Sequence, residues 1–416
     1  MNAGAAEFGV MLRQARKSKG MSQAELGGDK FSGSYISHLE SGRRTATPEV
    51  VEFVSRRLGL SPLEWGVSAK TDLGRPVTGD LIEDLLIAER AWSDHDWTAA
   101  LNHAEQAAEA AAAVGDWDRE WESRYVMGQA MFASGDFAAA AQLAESLADH
   151  RTANRYPVAR AQALCLASIS HRASDRLGRA VALGARAVEV AAALPPIIQA
   201  EALMALVSAM SEAGHPASES APYLDRLEEL SAELTSDHSR GMIAWAIGTA
   251  EFVAGDVAAG IAHHEQAQKL LDARRDLRLW SRFQRSAASC LLGAGITDGV
   301  AELVRTASLG IEILGNNHDL AELRQVEAQL ALHSGNPEEA VRIASEVLAD
   351  PVLGAKELSR SGTELVLAQA LAACGREEEA REQYRIAAEA LEVEGRLAAA
   401  AQAWRRSVGQ RTQEGL

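Results

Sequence analysis

The stretch Ser22–Arg44 reads SQAELGGDKFSGSYISHLESGRR, and its reading decides how the first part of the chain folds. Its spacing predicts two short helices joined by a tight turn and followed by a Gly-Arg-Arg exit. Ser22, Glu25 and Leu26 form a capping pattern: the Ser22 hydroxyl accepts from the amide three residues on, Glu25 reaches back, and Met21 staples onto Leu26. The second helix opens the same way at Ser32, with Phe31 placed to pack on Ile36. Ile36 and Leu39 mark its buried edge, which leaves Gly33, Ser34, Ser37 and His38 on other faces. A helix with a small, polar free face and paired arginines behind it suits a DNA groove, so the pair reads as a helix-turn-helix.

The string SQxxL followed by SGSYISxLESGRR resembles the XRE family of prokaryotic regulators, to which the lambdoid phage repressors and Cro belong, over about Phe8 to Trp65. The resemblance implies that the second helix of the pair enters the major groove. Residue by residue, it implies Gly33, Ser34 and His38 at base edges with Ser37 beside them, and Gln23 on a phosphate. It further implies backbone contacts from Tyr35, Arg43 and Arg44, and a structural ion pair between Arg16 and Glu40. Serine can pair with several bases and glycine with none, so phosphate contacts and DNA shape are expected to supply much of the binding. One departure stands out. The SQ pair lies one residue closer to the second helix than is usual, and Gly27 replaces the usual Ala.

Around this pair, Phe8, Met11, Leu12 and Ala15 have helical spacing, with Gly20 as the stop. Thr47-Pro48 opens a fourth helix ended by Gly59, and the capping pattern at Ser61 opens a fifth carrying Trp65. Residues 1–68 are therefore expected to form a five-helix DNA-binding domain. A Gly-, Pro- and Thr-containing stretch makes residues 69–79 a linker, and Asp80 with Glu83 marks the next helix start. The charge is divided the same way. Met1–Gly66 is weakly basic, at +2, while the whole chain carries -17. A basic head can approach phosphates and an acidic body is repelled by them.

Residues 80–416 read as helical throughout and repeat every 40 residues. Asp96-Trp97, Asp136-Phe137 and Asp256-Val257 mark turns, with others at Arg176, Pro216, Ile296, Asn336 and Arg376. Four residues after the mark stand small residues: Ala100, Ala140, Ala180, Gly260, Ala340 and Ala380. A two-helix period cannot bury its own apolar face, so the expected fold is all-α: a small helix-turn-helix domain followed by an α-solenoid of about eight hairpins.

The spacing Gly128, Gly135-Asp136-Phe137, Ala140 resembles the tetratricopeptide repeat over about residues 81–410. The resemblance implies a concave face built from the first helix of each unit. It places there Tyr125, Gln129 and Phe132, then Arg172, then Trp245, Thr249 and Phe252, then Arg282 and Arg285, then Gln325 and Gln329. Rings supply area to an extended peptide, amides hold its backbone and arginines take its carboxylates. The unit with Pro195-Pro196, Pro216 and Pro222 is expected to be irregular, with a kink or an altered superhelix there, and Leu391–Val408 to cap the array.

No enzyme signature is present: no HExxH, GxxxxGK[ST] or GxSxG, and no GxGxxG after a strand. His263-His264-Glu265 has no histidine one turn away to complete a metal pair, and no cofactor is expected. Cys165, Cys290 and Cys374 lie far apart in apolar helical segments and read as buried free thiols. No stretch approaches a membrane span and no basic-plus-apolar leader follows Met1, so a cytoplasmic protein is expected.

A single head contacts few phosphates, which implies a homodimer on a roughly palindromic double-stranded site, with the repeat body as the dimer interface. The combination resembles the cytosolic peptide-responsive regulators of Gram-positive bacteria (the RRNPP group), which implies a peptide or small-molecule effector on the concave face. The alternatives are a regulator whose array only dimerises or recruits a protein, and an interaction scaffold whose head contacts protein.

Overall fold

The computed structural model describes residues 3–28, 30–42, 44, 46, 48–58, 77–354 and 360–409. All twenty-two elements among them are helices. The chain forms two compact units, Met1–Glu83 and Asp84–Leu416.

In the first unit α1 (Ala3–Ser18), α2 (Gln23–Gly27), α3 (Gly33–Glu40) and α4 (Pro48–Leu58) enclose a core of Phe8, Leu12, Leu26, Ile36, Leu39, Val54 and Leu58. Gly20 follows α1 at φ +69, as a helix stop requires. Both expected caps form. Ser22 makes the full capping box with Glu25, and Ser32 accepts from the Tyr35 amide at 3.2 Å. The shortened turn also has a physical account. Gly28 adopts φ +55, ψ -141, a conformation essentially restricted to glycine, and the Phe31 amide then donates to the Gly27 carbonyl at 3.0 Å. The expected caps at Thr47 and Ser61, the stop at Gly59 and the fifth helix lie outside the described residues.

The second unit is an array of antiparallel hairpins. The first is α5 (Val77–Ser93) with α6 (Trp97–Val114), which meet at Ala91 and Ala100, and the second is α7 (Trp117–Ser134) with α8 (Phe137–Ala148). A single turn, α9 (Arg151–Arg155), precedes the third, α10 (Pro157–Ala173) with α11 (Leu177–Ala191). The fourth to sixth are α12 (Pro196–Ala213) with α13 (Ala217–Glu233), α14 (Asp237–Ala254) with α15 (Val257–Leu270), and α16 (Leu277–Gly293) with α17 (Val300–Leu314). The seventh and eighth are α18 (Asn317–His333) with α19 (Pro337–Ala349) and α20 (Ser361–Ala373) with α21 (Glu377–Glu394); α22 (Leu397–Ser407) follows as a terminal helix. Helix α5 begins at Val77, inside the stretch read as linker, and the boundary between the two units falls within it.

The 40-residue marks are helix starts. Asp96, Asp136 and Asp256 cap the second helix of their hairpins, accepting from the amides of Ala99, Ala139 and Ala259 at 3.0, 3.2 and 3.1 Å. The small residues four positions on are buried, because there the second helix crosses closest to the first. In the fifth hairpin Gly248 lies so close to the facing helix that a Cβ would stand 3.0 Å from the Gly260 carbonyl oxygen. One expectation shifts. The sixth turn is longer, with α17 starting at Val300 behind Gly295 and Gly299, both left-handed. In the proline-rich fourth hairpin, α13 runs through Pro222 and the 40-residue step is kept.

The array coils tightly enough that its successive turns touch. Trp97 of the first hairpin lies under the Arg278 guanidinium of the sixth, 5.7 Å from ring centre to charge. The turn after α7 meets the start of α18: Asn316 Nδ2 donates to the Ala133 carbonyl at 3.2 Å, and the His318 ring stands edge-on to Phe137 at 5.1 Å. Arg396, before α22, reaches Asp175 of the third hairpin at 3.4 Å and Glu212 of the fourth at 3.9 Å. Each contact joins a hairpin to one about five further along, so the array closes roughly one superhelical turn in five hairpins.

Candidate nucleic-acid interface and axial face

Helix α3 is fixed from beneath. Ile36 and Leu39 are fully buried, and Gly33 presses on α2, where a Cβ would lie 3.3 Å from the Ala24 Cα. This leaves Ser34 and His38, one turn apart, exposed on the same face, with Ser37 half-buried beside them. Tyr35 is half-buried. Its ring stacks on Phe31 at 5.1 Å and carries the Arg44 guanidinium 4.8 Å above it. Arg44 is exposed, and Arg43 lies outside the described residues.

Arg16 and Glu40 form the structural pair expected of them, with Nε to Oε1 at 2.5 Å and Nη2 to Oε2 at 3.0 Å. Arg16 also donates to the Met21 carbonyl at 2.6 Å, and Gln23 Nε2 donates to Glu40 Oε2 at 2.8 Å. Burial alone would raise the Glu40 carboxyl, but Arg16 and Gln23 outweigh it and hold it below its ordinary value. Gln23, read as a phosphate ligand, is thus oriented from behind by a buried carboxylate.

In the array all eleven residues read as concave lie on first helices of hairpins and are half-buried. Their partners were not anticipated. Arg172 pairs with Glu212, Arg282 with Asp319 at 3.0 Å, and Arg285 with Glu322 at 2.7 Å. Arg278 adds a buried bond to Asp319 at 2.7 Å. Burial opposes ionisation of Asp319, yet Arg282 and Arg278 hold its carboxyl far below the usual carboxylate range. These arginines are engaged by the chain's own carboxylates. Period arithmetic could have found the first pair, since Arg172 and Glu212 stand 40 residues apart and so occupy equivalent positions in neighbouring units.

The aromatic and amide positions are also partly committed. Trp245 Nε1 donates to Ser286 Oγ at 3.0 Å and its ring meets Phe283 edge-on; Phe252 tilts against His264, and Thr249 bonds the same histidine at 3.2 Å. Phe132 packs on Phe137, and Tyr125 stacks on Trp121 at 5.1 Å. Gln325 closes over Gly362, whereas Gln329 keeps a buried, unpartnered Oε1. Burial pushes the Tyr125 hydroxyl well up. His263 bonds Glu251 at 2.7 Å, and burial drops His264 to about 4. No group of three metal-ligating side chains occurs among the described residues. The three cysteines are free and half-buried rather than fully buried.

Residues 12–65 match the family described as Helix-turn-helix, so the first unit is a helix-turn-helix domain of the XRE type. No curated protein matches the chain by sequence. Among solved structures, a Rap protein complexed with Competence and Sporulation Factor is similar at 12% identity and TM-score 0.52, over 98% of both chains. Bacillus thuringiensis PlcR, in complex with the peptide PapR7 and DNA, aligns at 10% identity and TM-score 0.35 over 78% of this chain and 99% of its own. ComR from S. thermophilus, in complex with DNA and its signalling peptide ComS, aligns at 11% identity and TM-score 0.30 over 79% and 99%. The likeness to Rap shows the fold, a solenoid of helical hairpins of the tetratricopeptide type. No described helix is long and apolar enough to cross a membrane.

Proposed function

We propose that the protein is a cytoplasmic, dimeric transcriptional regulator that binds a roughly palindromic operator through two copies of α3. Its repeat array holds the dimer and senses a peptide or small effector. The observation that carries the DNA reading is the exposed pair Ser34 and His38 on a recognition helix whose opposite edge is locked into the core. Ser34 and His38 would meet base edges with Ser37 and Gly33 alongside, while Gln23, Tyr35, Arg43 and Arg44 hold the backbone. An effector moves DNA affinity only by binding one arrangement of the dimer better than the other. The Rap fold, solved with Competence and Sporulation Factor, supports an effector on the axial face.

A second reading has its own support. Arg172, Arg282 and Arg285 already have carboxylate partners within the chain, which favours an array that only dimerises or recruits a protein. Selection of bound genomic fragments, with and without culture supernatant or cell extract, separates the two readings. A fragment set that shifts with the extract supports the effector, and an unchanged set supports the second reading. Absence of any specific fragment at low salt with competitor DNA rejects both.

A further inference from the structure

Charged side chains of distant hairpins converge within the array: Arg172 of the third lies within electrostatic reach of Glu322 of the seventh and of Arg396 before α22. Arg172, Arg282 and Glu322 keep 26%, 26% and 30% of their side-chain surface open to solvent, although they sit among helices on the inner face. These groups keep solvent access although side chains of the third and seventh hairpins close on one another there. The space between them is bounded at the side by a seam between successive superhelical turns, to which few side chains contribute among the described residues. Its elements are the Trp97 ring under Arg278, the Asn316 bond to Ala133 with His318 on Phe137, and Arg396 on Asp175 and Glu212. Where α22 begins, a Cβ at Gly214 would lie 3.9 Å from the Ala398 Cβ.

We infer that this inter-turn seam is a gate: it holds the solenoid shut around its axis, and its release opens the axial face to solutes larger than water. Two features make release possible without unfolding. Each hairpin buries its own apolar clusters with its sequence neighbours, such as that of Leu164, Leu183 and Ala187, so these survive when the seam parts. The contacts are also of mixed kind. The Arg396 end is ionic and part-exposed and weakens with salt, whereas the Asn316 end is a neutral hydrogen bond and does not. The inference concerns access to the axis and stands whether or not an effector binds there.

The protein carries its own reporters. Cys165 lies two turns before Arg172 on α10, near Tyr125 and Glu201, and Cys290 lies beside Thr249 and Ser286 on α16. Both are half-buried, and burial pushes their thiols up to about 12 and about 11. Cys374 caps the C-terminus of α20 and serves as the control.

The test is the rate of labelling of each cysteine in the full-length protein by a polyethylene-glycol maleimide, read by peptide mass spectrometry. It compares the parent with Asn316→Asp and with Arg396→Gln. Asn316→Asp keeps an acceptor to cap α18 but removes the donor to Ala133. The gate predicts slow Cys165 and Cys290 in the parent and rates at least about tenfold higher in either variant, with Cys374 unchanged and helical circular dichroism retained. X-ray scattering should then report a larger radius of gyration. Unchanged rates at Cys165 and Cys290, or equal acceleration at all three cysteines, overturns the inference, since the second result means general loosening.

Discussion

The side-chain amide of Gln23 donates to the buried Glu40 carboxylate at 2.8 Å, on the same oxygen that accepts from Arg16 Nη2. One carboxylate therefore ties α1, α2 and the end of α3 together. Removing it as Glu40→Ala strands a buried guanidinium and is expected to cost about 3 kcal/mol. Amide hydrogen exchange over α1–α3 in the full-length protein measures this. Exchange in the array should not change.

Gly28→Ala tests the short turn. The φ of +55 and ψ of -141 strain any side chain, and a Cβ would lie 2.9 Å from Arg57 Nη1, whose neighbour Nη2 donates to the Glu25 carbonyl. A loss of about 1–3 kcal/mol is expected in denaturant unfolding of the first unit. A neutral result would mean that the turn relaxes into another conformation.

Arg44 and His38 should separate affinity from preference. Arg44→Ala removes an exposed cation held over Tyr35, so binding should weaken evenly across sequences and the salt slope should fall by about 1. His38→Ala should leave that slope unchanged and alter which fragments are selected. Titrations at several salt concentrations on two unrelated duplexes distinguish these outcomes.

Asp319 sets an acid limit on the sixth and seventh hairpins. Its folded carboxyl lies below the unfolded value of about 3.9, so its contribution is present in full above that pH and is lost as pH falls through the depressed folded value. Asp319→Asn should therefore be clearly less stable than the parent at pH 7. The gap between the two should narrow as the pH is lowered below about 4. Urea unfolding across this range gives the measurement.

Much of this architecture was legible in the chain because its signals are local. Ser22, Ser32, Asp96, Asp136 and Asp256 act as caps wherever they stand, and a 40-residue period needs no tertiary knowledge to be seen. The first helices of the hairpins carry every residue assigned to the inner face. What stayed hidden depends on the superhelical pitch. Nothing near Asn316 in sequence points to Ala133, and no local pattern says that Arg396 faces Asp175. Asp319 and Glu322 look like ordinary surface acids on a helical face until α16 is laid beside α18.

An array whose units touch only their neighbours can melt from either end like a zipper. Trp97 beneath Arg278, and Asp175 against Arg396, bridge sequence separations of about half the chain. The early hairpins therefore complete their packing only after the late ones have emerged from the ribosome, and removing the chain from Arg396 onward should loosen residues some two hundred positions upstream. Folding of this array should be slower and more all-or-none than its local helical contacts alone would give.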